Sequence, residues 1–188
     1  MNSHQVFLVR HGETEWSKAS RHTGRTDLPL TNNGRAAAAA LAPRLATFSF
    51  AAVFTSPLLR AASTCELAGL GAQAQPDRDL MEWDYGFAEG KTTPEIQVER
   101  PGWSVWDGPV LDGESLAQVS ERTDRVLARV KSISGNVVLF AHAHLLRILT
   151  ARWLGQDPAF GHHLVLSPAS ISILGYDRST PAITAWNT

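Results

Sequence analysis

A chain of 188 residues, 44% hydrophobic and 19% charged, is long enough to bury one sizeable core. Its formal net charge of -1 argues against nucleic-acid and membrane partners, which call for a basic excess. A single cysteine, Cys65, rules out an internal disulfide framework, no apolar run reaches membrane-spanning length, and residues 1–5 carry no signal-peptide pattern. The expected compartment is the cytoplasm.

Val6-Phe7-Leu8-Val9 is a short apolar strand that stops abruptly at Arg10-His11-Gly12. Such an ending delivers a guanidinium and an imidazole to the strand's end, with a glycine that lets backbone and ligand approach closely. An always-charged fork beside a titratable nitrogen suits binding a phosphate and then attacking it. Taken alone, the tripeptide equally describes a strand ending in solvated polar residues. Residues 17–30 read as a loop. Thr31 can cap a helix over 31–45, through Gly34 and an alanine run whose small side chains suit close packing on a sheet. Pro43 either kinks that helix or ends it early.

A second buried strand covers 52–55, and Ser56-Pro57 then supplies an N-cap and a proline for the first helical position. Arg60 falls in that helix's first turn, the end that favours anions. Cys65 reads as a small helix residue, not a nucleophile. Residues 74–79 form a loop ahead of Glu82. Amphipathic spacing through Leu116, Val119, Val126, Leu127 and Val130 marks a helix over 114–131. A third apolar strand, 137–140, ends at Ala141-His142-Ala143-His144, with a helix from 145 to about 154 behind it. Segments 170–176 and 182–186 form a closing hairpin. This order predicts an α/β fold of three layers, a mostly parallel central sheet flanked by helices, in one domain over 1–188.

In an open parallel sheet, ligands bind beyond the carboxyl ends of the strands. Here three strands finish in groups of one chemical type: Arg10 and His11, then Ser56 leading to Arg60, then His142. Together they predict a cationic, donor-rich pocket for a phosphoryl group.

Five ordered segments carry a family resemblance: Leu8-Val9-Arg10-His11-Gly12-Glu13-Thr14-Glu15-Trp16, the run from Thr23-Gly24 to Thr31, Ser56-Pro57-Leu58-Leu59-Arg60-Ala61, Glu82-Trp83-Asp84-Tyr85-Gly86, and Phe140-Ala141-His142. On these the chain resembles the histidine phosphatase superfamily, in its phosphoglycerate mutase-like branch. Within it, the chain looks most like the sedoheptulose-bisphosphatase type and related bacterial acid phosphatases. The resemblance implies a catalytic pair, His11 as nucleophile and Glu82 as general acid. It implies phosphate contacts from Arg10, Ser17, Thr23, Gly24, Arg60 and His142, and substrate contacts from Ser56, Tyr85, His144 and Arg147. Ser17 stands where the family commonly has asparagine, and Ala143 where it has glycine. No metal and no cofactor are expected, since arginines supply the positive charge. His142-Ala143-His144 has no acidic neighbour in sequence to complete a chelate, and His162-His163 reads as a solvated pair in a Gly/Pro-bounded loop.

Three functions are compatible with these residues: a phosphomonoester hydrolase acting on sugar phosphates or bisphosphates through a phosphohistidine, a cofactor-dependent phosphoglycerate mutase, and a non-catalytic phospho-ligand module. A mutase must keep water off its phosphohistidine with a closing lid. The rim segment 91–112 is short for that, so hydrolysis leads. Trp103 and Trp106 in this segment are expected to serve mainly as core, while packing it over the pocket. The partner is a small phosphorylated substrate, and the oligomeric state is not legible.

Overall fold

The structure, a computed structural model, describes residues 4–188; the first three residues of the expected domain lie outside the described residues. In chain order the elements are β1 (Val6–Arg10), α1 (Glu15–Lys18), α2 (Asn32–Ala39), α3 (Ala42–Leu45), β2 (Phe50–Thr55), α4 (Leu59–Leu67) and β3 (Ala74–Pro76). There follow α5 (Thr93–Glu99), α6 (Leu116–Lys131), β4 (Asn136–Ala141), α7 (Ala143–Trp153), β5 (Ile171–Asp177) and β6 (Thr180–Ala185), with short 3₁₀ turns between.

The six strands form one sheet in the order β3-β2-β4-β1-β5-β6. β3, β2, β4 and β1 run parallel, and the β5–β6 hairpin adds antiparallel strands beside β1. Strand alternation sorts the side chains into two cores. Val6 and Leu8 of β1, with Val137 and Leu139 of β4, face α6 and α7. Phe7 and Val9, with Val138 and Phe140, face Leu41, Leu45, Cys65 and Ala68 on the other side. The sheet is therefore covered on both faces, which is why its central strands read as unbroken apolar runs.

Several expectations shift in detail. The helix over 31–45 is two pieces, with Pro43 in the first turn of α3 and Thr31 capping α2 through Gly34 N–H. Of the alanine run only Ala38 is buried; the rest act as exposed helix formers. The close approach belongs instead to Gly34, whose Cβ would run into the Glu13 backbone. Gly12 faces Gly34 across the same contact, so its missing side chain admits the Gly34 carbonyl and not a ligand. Ser56 is not the cap of α4: Leu58 is, without a side-chain bond, and the helix starts one turn beyond Ser56-Pro57. Residues 74–76 are a strand, not loop. At three residues including a proline, β3 carries no apolar signal and is tolerated because it is an edge. Helices α1 and α5 escaped notice, although each opens with a capping box, Thr14 with Ser17 and Thr92 with Glu95. Cys65 is buried in α4, and burial pushes its thiol up to about 12, consistent with a packing role.

Candidate active site

A cavity of about 350 Å³ opens at the carboxyl ends of β1 and β4, lined by Arg10, His11, Ser17, Ser20, Arg21, His22, Thr23, Glu82, Tyr85, Ala143, His144, Arg147, Val165 and Leu166. Eight of the twelve site residues named from sequence are among them. Arg60, His142, Ser56 and Gly24 lie behind this lining, all buried.

His11 leaves β1 with its ring buried, its Nδ1 2.7 Å from the Gly12 carbonyl oxygen. A carbonyl only accepts, so Nδ1 carries the proton and Nε2 keeps a free lone pair. Burial, then the charges of Arg60 and Arg10, hold this imidazole well below the usual histidine range, so it is neutral at pH 7. The His142 ring lies 5.1 Å from it, centroid to centroid. Ser56 Oγ accepts the Leu58 N–H at 3.3 Å and lies 2.8 Å from His142 Nε2. With the serine proton given to Nε2, the ring proton of His142 sits on Nδ1. That Nδ1 has no partner among the described residues.

The arginines are built differently from each other. Arg10 donates from Nη1 to the Leu166 carbonyl at 2.5 Å, and its buried Nε has no partner among the described residues. Burial, opposed by Glu82 and Tyr85, lowers it to about 10, still a cation at neutral pH. Arg60 spends both terminal nitrogens on the loop carbonyls of Thr23, Gly24 and Thr26, at 2.9–3.1 Å, and its Nε too is unpartnered. From the other side, Glu89 accepts the N–H groups of Gly24 and Thr26. The Gly24 N–H, expected on phosphate, is thus occupied by Glu89. The Ser17 hydroxyl is likewise engaged, accepting from Thr14 N–H and donating to Thr14 O in the cap of α1. Thr23 lines the cavity with its hydroxyl donated to Arg21 O. The Gly24 departure comes from a distant segment that sequence adjacency does not reveal, while Ser17 and Thr23 are engaged locally by the cap of α1 and the Arg21 carbonyl.

Glu82 sits at the first turn of α7. Its Oε1 accepts from Trp83 and Leu145 N–H, both at 3.0 Å, and Oε2 accepts from His144 N–H at 3.1 Å. A carboxyl group offers about four lone-pair positions. Three are filled, and the open one is on Oε2. Beyond it, Tyr85 O–H meets His144 Nδ1 at 2.5 Å. Burial, then the Glu82 charge, pushes the Tyr85 phenol well above its usual value, while burial and the Arg147 charge push His144 well below the usual range. Both are neutral, and the phenol is the donor. Arg147 donates to Gly161 O and His162 O at 2.9 and 3.0 Å and stacks on Trp106 at 4.7 Å. No carboxylate pairs with it among the described residues.

Trp103 and Trp106 are buried in the core that reaches the cavity wall, their rings against His22 and His144. Sequence reasoning missed Arg21 and His22 in the lining. It also missed the support carried by Glu89, Glu114 and Arg122, which sit in polar stretches with no motif signal.

The arrangement is a neutral imidazole with a free nitrogen, two guanidiniums, a second imidazole and a carboxyl group with one acceptor position open. No helix among the described residues is long and apolar enough to cross a membrane. The chain is 39% identical over 182 residues to an acid phosphatase of Mycobacterium tuberculosis, covering 95% of this chain and 89% of the relative. It is 34% identical to the sedoheptulose 1,7-bisphosphatase of Saccharomyces cerevisiae, over 80% of this chain and 68% of that one. A probable phosphoglycerate mutase of Cronobacter sakazakii matches at 32% identity, over 97% and 89%. Among solved structures, the product of an open reading frame from Mycobacterium tuberculosis superposes with a TM-score of 0.93 at 36% identity, covering 98% of this chain and 97% of that one. With residues 6–188 matching its family pattern, the chain belongs to the histidine phosphatase superfamily, branch 1.

Proposed function

We propose that this phosphatase of small phosphorylated metabolites works through a phosphohistidine on His11, with Glu82 as general acid and base. The observation that carries this reading is the His11 imidazole, neutral and with Nδ1 anchored on Gly12 O, so that Nε2 is free to attack. In the first step Nε2 forms a bond to phosphorus as the ester P–O bond breaks, and the leaving alkoxide takes the Glu82 proton. Arg10, Arg60 and His142 supply donors for the phosphoryl oxygens, from the unpartnered Arg10 Nε, Arg60 Nε and His142 Nδ1. In the second step water attacks the phosphohistidine and gives a proton to Glu82, releasing inorganic phosphate and the neutral imidazole.

Tyr85, His144 and Arg147 form the wall away from His11, where the non-reacting part of the substrate lies. Arg147, free of any carboxylate partner, suits a distal anion such as a second phosphate or a carboxylate. Sugar bisphosphates and phosphorylated acids are therefore the favoured class. The cytoplasm is the compartment where such metabolites are found.

A mutase reading draws on the relatives named probable phosphoglycerate mutase, at 30–32% identity. It is disfavoured because the rim segment 91–112 is packed into the wall through Ile96, Trp103, Val105 and Trp106, not raised as a cover. A binding module would not need His11, Glu82 and His142 together. The test is incubation with 4-nitrophenyl phosphate and a panel of sugar phosphates and bisphosphates, then with 3-phosphoglycerate plus a trace of 2,3-bisphosphoglycerate. Phosphate release with an acid-labile, base-stable phosphoenzyme is the expected result. Isomerisation without release would establish the mutase, and neither reaction the binding module.

A further inference from the structure

Among the described residues, the arginine and glutamate side chains that are buried outright are Arg60, Glu82 and Arg122. The first two belong to the site; Arg122 reaches in from α6 and does not line the cavity. Its guanidinium donates from Nη1 to the carbonyls of Asp79 and Met81 at 2.9 and 2.6 Å, and from Nη2 to that of Glu82 at 3.0 Å. Nε and Nη2 grip the two oxygens of Glu114 at 2.8 and 2.9 Å.

Glu114 completes the hold on the far side of Glu82. Its carboxylate accepts Asp84 N–H at 2.9 Å, and its backbone carbonyl accepts Trp83 Nε1–H at 2.7 Å. Burial pushes the Glu114 carboxyl up, but the Arg122 bonds and charge, Asp84 N–H and the Arg25 charge outweigh it and hold it below the usual range. The pair is therefore ionic at neutral pH. The segment carrying Glu82 follows a single 3₁₀ turn and belongs to no strand or helix, so no ladder of its own fixes its path.

We propose that Arg122, braced by Glu114, is a positioning residue for proton transfer by Glu82, fixing the backbone on both sides of the carboxyl group that serves the leaving oxygen. This inference rests on the acid role of Glu82 argued above. An ammonium cannot substitute: its compact head does not span two carboxylate oxygens and three carbonyls at once. Misplacement of the acid by a fraction of an ångström matters only where the leaving group needs its proton.

The experiment compares R122K, E114Q and E82Q on glycerol 3-phosphate and on 4-nitrophenyl phosphate, with thermal melts to establish folding. R122K is expected to lower kcat on the alkyl ester by about 10- to 100-fold, the range for displacing a catalytic group from outside the reacting shell. On the aryl ester, whose leaving group needs little protonation, the change is expected to stay within roughly threefold. KM should hold on both, E114Q should show a smaller loss with the same bias, and R122K should add little in the E82Q background. Equal losses on the two esters, a rise in KM alone, or full additivity with E82Q would overturn the proposal. Should R122K not fold, E114Q decides, because it weakens the brace while leaving the three carbonyl bonds in place. A biased E82Q beside an unbiased R122K removes the positioning role only, whereas an unbiased E82Q removes the acid role and this inference with it.

Discussion

Acidification below pH 6.5 should destabilise this protein through its histidines before its carboxylates take part. His11 and His142 are 4% and 0% exposed and lie well below the usual histidine range, because burial disfavours their charged form and Arg60 and its neighbours repel it. The unfolded chain, with histidines near about 6.5, takes up protons that the folded chain refuses, so the unfolded state binds more protons and stability falls as pH falls. The loss begins at the unfolded value and continues until the folded imidazoles themselves protonate. Each group held neutral costs about 1.36 kcal/mol per pH unit, or about 2 kcal/mol each and about 4 together at pH 5.0. Glu114, held below its usual range, adds to the loss only at lower pH, below the ordinary glutamate value. Urea unfolding at half-unit steps from pH 7.5 to 5.0 reads the slope directly. Near pH 5.5 His11 and His142 alone should contribute roughly 2.5 kcal/mol per unit, and H142Q should remove about half of that share whatever the variant does to absolute stability. His144 and His22, less deeply buried and also lowered, can only steepen it. An unfolding free energy that stays flat between pH 7 and 5 would refute the neutral, buried assignment on which the nucleophile's readiness depends.

Other outcomes are equally specific. H11A should abolish turnover and phosphate labelling while the protein stays folded, as activity assays with a thermal melt would register. E82Q should lower kcat on alkyl phosphates by ~10²–10⁴ and much less on 4-nitrophenyl phosphate; steady-state kinetics on both esters would expose a uniform loss. R147A should raise KM for sugar bisphosphates far more than for 4-nitrophenyl phosphate, since remote binding acts only where a remote group exists; a parallel change would leave Arg147 as a brace for the Gly161 and His162 carbonyls. G34A should destabilise by about 1–3 kcal/mol in urea titration, because its Cβ would be forced into the Glu13 backbone, where nothing yields easily.

The chain's local chemistry determined the central strands, their alternation with helices and the residues delivered to their ends. Apolar runs such as Val6-Phe7-Leu8-Val9 and Val137-Val138-Leu139-Phe140 are legible because a strand covered on both faces must be apolar throughout. His11, Glu82 and Arg10 were found because strand ends and ordered motifs are properties of neighbours in sequence. Tertiary structure decided what each group is free to do. It buried His11 with Nδ1 on the Gly12 carbonyl and Nε2 open, and gave the Gly24 N–H to Glu89. It also brought Arg122 against the Glu82 carbonyl from 40 residues away and Glu114 against the Asp84 N–H from 30. Periodicity reports burial, which a few consecutive residues can encode. The choice of hydrogen-bond partner depends on which distant segments share a desolvated space, and only the folded chain defines that space.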